Sequence, residues 1–294
     1  MSERSYPGSR QRIDLHAHTS WSDGTTGVGE LFAAARRERL DVLALTDHDT
    51  VAGWSELPAA VAASGVAAVP GIEVSSEDGG RSVHLLALLV DPAEDTELAA
   101  ETARARRSRV ERARAMVELI ARDHPLTWED VTAQVAGETT VIGRPHIADA
   151  LVVAGVVPDR STAFGELLRP AGPYYVPYYA PSPVAAIRAI RAAGGVSIAA
   201  HPGSVTRDDD LPLDLLEAMV EAGLDGLEVD HREHDDAERA RLRGFARAHD
   251  LLITGGSDFH GAGKPNRLGE NLTAEAVLDA LVERAGSGTE VLRP

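Results

Sequence analysis

Cysteine is absent from all 294 residues, which removes disulfide staples, thiolate metal sites and cysteine nucleophiles together. Any metal must then be held by imidazoles and carboxylates, a donor set that suits manganese, iron or zinc. Lysine is almost missing: Lys264 is the only one among 29 basic residues, and 46 acidic residues leave a formal net charge of -17. That balance disfavours a protein that tracks along nucleic acid, which needs a basic stripe. It leaves room for a small anionic substrate gripped by metals and a few arginines. No stretch stays apolar for the ~18 residues of a membrane span, and the first twelve residues, polar with Pro7 and Gly8, contain no apolar signal core. A soluble cytoplasmic protein without a membrane partner is expected.

What is present in quantity is histidine at strand ends. Arg12 to Leu15 reads as a short strand followed by His16-Ala17-His18, two imidazoles on one side of a strand end, with Asp23 five residues on. A helix over Gly27 to Leu40 leads to an apolar strand from Asp41 that ends in Asp47, His48 and Asp49. A second helix, Ala59 to Ser64, precedes a strand from Val66 to Glu73. Strand and helix in alternation imply parallel α/β structure, with ligands gathered at the carboxyl ends of the strands. His84 tests that pattern, because it begins the strand Val83 to Val90. The hairpin signal Glu77-Asp78-Gly79-Gly80 turns this strand antiparallel and brings His84 beside Glu73.

Leu98 to Ala121 reads as a long helix carrying Arg104, Arg106, Arg107, Arg109, Arg112 and Arg114 among Glu101, Glu111 and Glu118. Charges of both signs on all sides predict a solvated helix face. Beyond this helix, proline and glycine become frequent and the tyrosines Tyr174, Tyr175, Tyr178 and Tyr179 cluster, so residues 98–179 are expected to form a helical cap inserted into a barrel made of 1–97 and 180–294. The pattern resumes with a helix at Val184 to Ala193 and a strand ending at His201-Pro202-Gly203. Next come the helix Leu213 to Ala222, a strand ending before Asp230 and His231, and the strand Leu251 to Thr254 leading to Gly256-Ser257-Asp258-Phe259-His260. If the first and last strands are neighbours, His16, His18, Asp258 and His260 meet. Nine candidate metal ligands result: His16, His18, Asp23, His48, Glu73, His84, His201, Asp258 and His260. They suffice for two to three divalent ions in one pocket.

These motifs, in this order, resemble the polymerase and histidinol phosphatase (PHP) family of metal-dependent phosphoesterases. The resemblance implies a distorted (β/α)7 barrel with an inserted helical subdomain and a trinuclear centre. One metal would sit on His16, His18, Glu73 and Asp258, a second on Glu73, His84 and His201, and a third on Asp23, His48 and His260. Gly143-Arg144-Pro145-His146 in the insert resembles the branch containing 3',5'-nucleotide bisphosphate phosphatases and short-RNA 5'-to-3' exonucleases, which commonly work with manganese. The implied chemistry is attack by metal-activated hydroxide on a phosphoryl group, with catalysis centred on Glu73, Asp258 and His201 and no protein nucleophile.

For substrate contacts the candidates are Arg144, suited to bidentate phosphate binding, together with His146, Arg207 and His231. His231 and His234 can equally be solvated surface residues. Gly203-Ser204-Val205 stands where an arginine often follows the glycine in that branch. The expected partner is a small phosphorylated metabolite, a nucleotide or a short RNA, and not long nucleic acid. Histidinol phosphate phosphatase, or a metal-binding module without turnover, are the alternatives.

Overall fold

A computed structural model of the chain describes residues 11–135, 141–170, 172–203 and 211–294. Seven strands, β1 (Ile13–Asp14), β2 (Val42–Leu45), β3 (Ala67–Asp78), β4 (Arg81–Leu88), β5 (Val196–Ala199), β6 (Gly226–Asp230) and β7 (Leu252–Gly255), form one sheet in sequential order. β1, β2 and β3 pair in parallel, as do β5, β6 and β7, while β4 is antiparallel to both neighbours. The sheet curls until its edges nearly meet: Ala17 bridges Phe259 in parallel, and the His18 amide donates to the Phe259 carbonyl at 2.9 Å. The result is a mixed α/β sheet that almost closes into a barrel.

Alternation along each strand explains the layers. Ile13, Leu15, Val42, Ala44, Ala67, Val69, Leu86, Leu88, Val196, Ile198 and Leu252 share one apolar cluster, whereas the intervening Leu43, Leu45, Leu85, Ala87 and Leu227 belong to clusters shared with the flanking helices. Odd and even positions therefore look inward and outward in turn. The helix α1 (Val28–Arg37) covers the outer side with Val28, Leu31, Phe32 and Ala35, one stripe at helical spacing. α2 (Leu57–Ser64) has proline in its first turn and stops at Gly65, whose φ of 71° is the left-handed conformation glycine adopts without strain.

Between β4 and β5 lie α3 (Glu97–Ile120), α4 (Trp128–Thr132), α5 (Arg144–Val153), α6 (Arg160–Glu166) and then α7 (Pro183–Ala192). The Thr96 hydroxyl caps α3 by accepting from the Ala99 amide at 3.1 Å. The lower half of α3 packs Ala113, Met116, Val117 and Ile120 against Ile147, Leu151, Ala163 and Tyr174, a core separate from those of the sheet. α8 (Leu213–Ala222) and α9 (Asp236–Ala248) flank β6, and a helix not foreseen from the sequence, α10 (Glu275–Arg284), packs Val277, Leu278 and Leu281 onto the inner apolar cluster.

Two expectations need correction. β3 does not end at Glu73 but runs on to Asp78, because its hairpin with β4 continues the ladder as far as the Asp78–Arg81 pair. The solvated reading of the α3 arginines fails for Arg109 and Arg112, which are 8% and 4% exposed, because residues 172–179 and the β3 wall cover that side of the helix.

Candidate metal centre

Glu73 stands in the middle of the site, near its β4 partner Leu86, and touches five imidazoles. Its Oε2 lies 3.2 Å from His16 Nε2, 2.9 Å from His18 Nε2 and 3.3 Å from His48 Nδ1. Its Oε1 lies 2.7 Å from His84 Nδ1 and 3.1 Å from His201 Nε2. His84 pairs with Ser75 across the hairpin, so the antiparallel strand delivers it to the side of the sheet that Glu73 occupies. Asp258 Oδ1 approaches His16, His18 and His260 within 3.4 to 3.5 Å. Asp23 Oδ1 is 3.1 Å from His260 Nε2, and its Oδ2 is 3.7 Å from His48 Nε2.

Three groups of donor atoms converge tightly enough to share a cation: His16, His18, Glu73 and Asp258; His18, Asp23, His48 and His260; and His48, Glu73 and His84. His201 belongs to none of the three, yet meets the same Glu73 oxygen as His84. Asp23 Oδ1, His48 Nδ1, Glu73 Oε2, His84 Nδ1, Asp258 Oδ1 and His260 Nε2 are all buried without a hydrogen bond. Buried polar atoms that crowd one another without bonding are costly unless something else satisfies them. Nitrogen and carboxylate donors in these numbers fit divalent metal ions.

The electrostatics agree. Burial works against a charge on His16, but Glu228, Glu73 and Asp258 outweigh it and hold its pKa well above the usual value. His18 is likewise raised, to about 9, against its burial by Asp258 and Glu73. Burial also opposes ionised carboxylates, yet His48, His84 and His16 keep Glu73 well below the usual range, His260 and His48 do so for Asp23, and Lys264 and His260 for Asp258. The carboxylates are thus held ionised beside His16 and His18, whose pKa values are raised. Burial pushes His48 and His260 below the usual imidazole value, so ionised carboxylates and neutral imidazoles, the forms that bind metal, are both present.

Several supporting residues escaped the sequence reading. Glu228, fully buried on β6, accepts from His16 Nδ1 at 3.1 Å and from the His201 amide at 2.8 Å, joining two candidate ligands. Such a carboxylate behind a histidine sets which ring nitrogen faces the metal. Its signal was a lone acid alternating with Leu227 and Val229, which face the helix layer. Gly256 is needed beside this pair, since a Cβ there would fall 2.5 Å from both Glu228 Oε1 and His16 Cβ. Asp47 accepts from the Thr19 amide and hydroxyl and the Ser22 hydroxyl at 2.6 to 2.8 Å, holding the loop that carries His18 and Asp23. Lys264 Nζ reaches Asp258 Oδ2 at 2.6 Å. Asp49, His201 and Asp258 have φ of 54°, 32° and 50°, strained values for residues with a Cβ, and all three lie at this site.

The remaining sequence candidates divide between this pocket and its surroundings. His231 is fully buried, with Nε2 3.8 Å from Asp258 Oδ2, and His234 is buried as a latch, Nδ1 to the Val229 carbonyl at 2.9 Å and Nε2 accepting from the Gly203 amide at 3.1 Å. Neither is the solvated residue that its sequence position allowed. Arg144 begins α5, donates to the Leu168 carbonyl at 3.2 Å and lies over Phe164. His146 Nδ1 accepts from the Gly143 amide at 3.2 Å and so fixes the backbone that presents Arg144. Arg207, like Ser204 and Val205, lies outside the described residues. The tyrosines pack on α3: Tyr179 OH donates to Glu101 at 2.6 Å and Tyr178 lies under Arg112.

Residues 14–146 match the PHP domain family. A 3',5'-nucleoside bisphosphate phosphatase from Chromobacterium violaceum is 35% identical over 255 residues, 87% of this chain and 89% of that protein. The chain belongs to the PHP-domain family. A solved structure from Bifidobacterium adolescentis, named as a candidate metal-dependent phosphoesterase, shares 44% identity with this PHP protein over 95% of its length and 98% of the other, with a TM-score of 0.91. A 5'-3' exoribonuclease from Haemophilus influenzae is 31% identical over 89% of this chain and 94% of that protein. The resemblance drawn from the motifs therefore holds at the level of the family, and the donor groups suit its metal-dependent phosphoesterase chemistry. Among the described residues no helix is long and apolar enough to cross a membrane.

Proposed function

We propose that this protein is a phosphatase acting on a small phosphorylated metabolite, foremost the 3'-phosphate of a nucleoside 3',5'-bisphosphate, with short oligonucleotides as related substrates. The observation that carries the reading is the shared position of Glu73, whose Oε2 meets His16, His18 and His48 while its Oε1 meets His84 and His201. The sheet is taken as the distorted (β/α)7 barrel, with 98–179 as its cap. On this reading His16, His18, Glu73 and Asp258 hold one divalent ion, Glu73, His84 and His201 a second, and Asp23, His48 and His260 a third, manganese foremost. Ions there would supply Lewis acidity, acidifying water and neutralising charge on the phosphoryl group.

The chain itself contributes geometry and protons. Glu228 orients His16 and the backbone of His201, and Asp47 fixes the loop bearing His18 and Asp23. Lys264 offers a cation beside Asp258, 2.6 Å from its Oδ2, where it could offset negative charge developing at the site. Arg144 at the start of α5 offers a planar guanidinium to phosphate oxygens. The 35% identity to the bisphosphate phosphatase over 87% of the chain supports the substrate class. The test is phosphate release from adenosine 3',5'-bisphosphate, adenosine 3'-phosphate, histidinol phosphate and short RNAs, with and without added Mn²⁺. Fastest turnover of the bisphosphate, abolished by chelation, is expected; preference for histidinol phosphate, or no turnover of any of them with metal bound, would overturn the proposal.

A further inference from the structure

We propose that Lys264 is a positioning residue of the metal centre. It occupies one oxygen of Asp258, Oδ2, and so makes Asp258 a single-oxygen donor that leaves a coordination position open for water or substrate. The inference rests on the metal-dependent reading above and adds to it a determinant of metal affinity outside the nine donors.

Asp258 is 1% exposed, and its two oxygens face different company. Oδ1 points among imidazoles, 3.5 Å from His16 Nε2, 3.4 Å from His18 Nε2 and 3.4 Å from His260 Nδ1, and is buried without a hydrogen bond. Oδ2 meets the Lys264 ammonium at 2.6 Å. A second donor faces that same oxygen: His231 Nδ1 accepts from the Glu233 amide at 3.2 Å, which leaves the N–H of the neutral ring on Nε2, 3.8 Å from Oδ2. Burial works against a charge on Asp258, and Lys264 leads the groups that overcome it, ahead of His260 and His16.

The kind of cation matters. The chain has 28 arginines and one lysine, and the lysine stands here. A guanidinium is a planar fork that pairs with both oxygens of a carboxylate at once, whereas an ammonium is a point charge that one oxygen satisfies. Arginine in this place would compete for Oδ1 as well. The ammonium saturates Oδ2 and leaves Oδ1 to the donor group of His16, His18 and Glu73.

The backbone that presents the lysine is fixed from three sides. Arg160 on α6, paired with the Asp149 carboxylate, donates to the Gly263 carbonyl at 3.3 Å. Thr25, two residues after Asp23, accepts from the Ala262 amide at 2.8 Å. Asn266 Nδ2 reaches back to the Ser257 carbonyl at 2.7 Å. Lys264 is thereby tied to α6, to the Asp23 loop and to the residue before Asp258. Its own side chain is 28% exposed, so replacing it opens no cavity in the core. A carboxylate free to offer both oxygens would close a position that catalytic metal sites keep for water or substrate. Without Lys264, the centre should therefore hold its ion more tightly and turn over more slowly.

The test titrates Mn²⁺ by calorimetry into the chelator-stripped full chain and its Lys264→Met, Lys264→Gln and Lys264→Arg variants, a readout that needs no substrate. Lys264→Met and Lys264→Gln should bind Mn²⁺ more tightly by roughly tenfold to hundredfold, and Lys264→Arg more weakly by about tenfold. Loss of positive charge alone would leave Lys264→Arg like wild type, so the opposite signs are the diagnostic. At saturating Mn²⁺, kcat for the preferred phosphate ester should fall in both neutral variants. Unchanged or weaker Mn²⁺ binding in those two, wild-type or tighter binding in Lys264→Arg, or tighter binding with an undiminished kcat overturns the assignment. So does a raised KM with Mn²⁺ affinity unmoved, which would make Lys264 a substrate contact. If no phosphate ester is turned over but the neutral and arginine variants still move Mn²⁺ affinity in opposite directions, the role of Lys264 stands and the proposed reaction falls.

Discussion

Replacing Glu73 with glutamine keeps the size of the side chain while removing the one carboxylate that faces five imidazoles at 2.7 to 3.3 Å. Glu73 is 1% exposed and ionised despite burial, so water cannot replace what the amide fails to provide. Removing one partner from a buried charged pair costs ~3–5 kcal/mol, and the cations proposed here are the partners at stake. The conversion is about 10²- to 10⁴-fold in metal affinity. Because Glu73 belongs to two of the three donor groups, the loss should reach more than one ion. Asp23→Asn is the internal control, since Asp23 belongs to one group only and is 12% exposed. Metal content after dialysis, manganese titration by calorimetry and kcat/KM together read the result. Glu73→Gln should lose at least two of the ions and nearly all activity, and Asp23→Asn should lose one ion with a milder defect. Equal, small effects from the two substitutions would refute the central place given to Glu73.

Glu228→Gln should weaken metal binding by roughly tenfold to hundredfold, because it no longer holds His16 and the His201 backbone with a charged acceptor; unchanged manganese affinity would sink this account. Arg144→Ala should leave metal content intact while cutting kcat/KM for the nucleotide substrate by about tenfold or more, and cutting it much less for p-nitrophenyl phosphate; equal losses on both would make Arg144 scaffolding. His146 is buried and its pKa is lowered chiefly for that reason, against the pull of Asp23 and Asp149. Above pH 6.5 it is neutral whether folded or unfolded; below that the unfolded chain takes up the proton first, so stability is lost as pH falls through the folded pKa, by at most ~1.4 kcal/mol per pH unit. Thermal melts of His146→Gln between pH 7 and 5.5 should show a shallower decline than wild type, and identical slopes would contradict the assignment.

How far the site could be read in advance depends on the kind of pattern each residue obeys. Strand alternation and strand ends are local properties, so His16, His18, His48, Glu73, His84, His201, Asp258 and His260 could be put at one end of a sheet from spacing alone, and the hairpin at Gly79-Gly80 already turned β4 around. The described structure brings all of them within one pocket. The continuation of β3 past Glu73, and α10, were not legible, since both depend on partners far away in the chain: the β4 ladder in the first case and the inner apolar cluster in the second.

The α3 arginines mark the boundary most clearly. A helix with charge on every side has no preferred face until something packs against it. What the amino-acid order by itself determined is the family and the set of imidazole and carboxylate donors, because the chemistry of each donor and its place on a strand are written locally. What only the tertiary structure decided is which charges lose their water. Asp49 and Ser75 from the barrel take Arg109, Tyr178 covers Arg112, and Glu228 on β6 reaches across to His16 on the first strand's end. Burial and long-range pairing are properties of surfaces meeting, and no window of the sequence contains both surfaces.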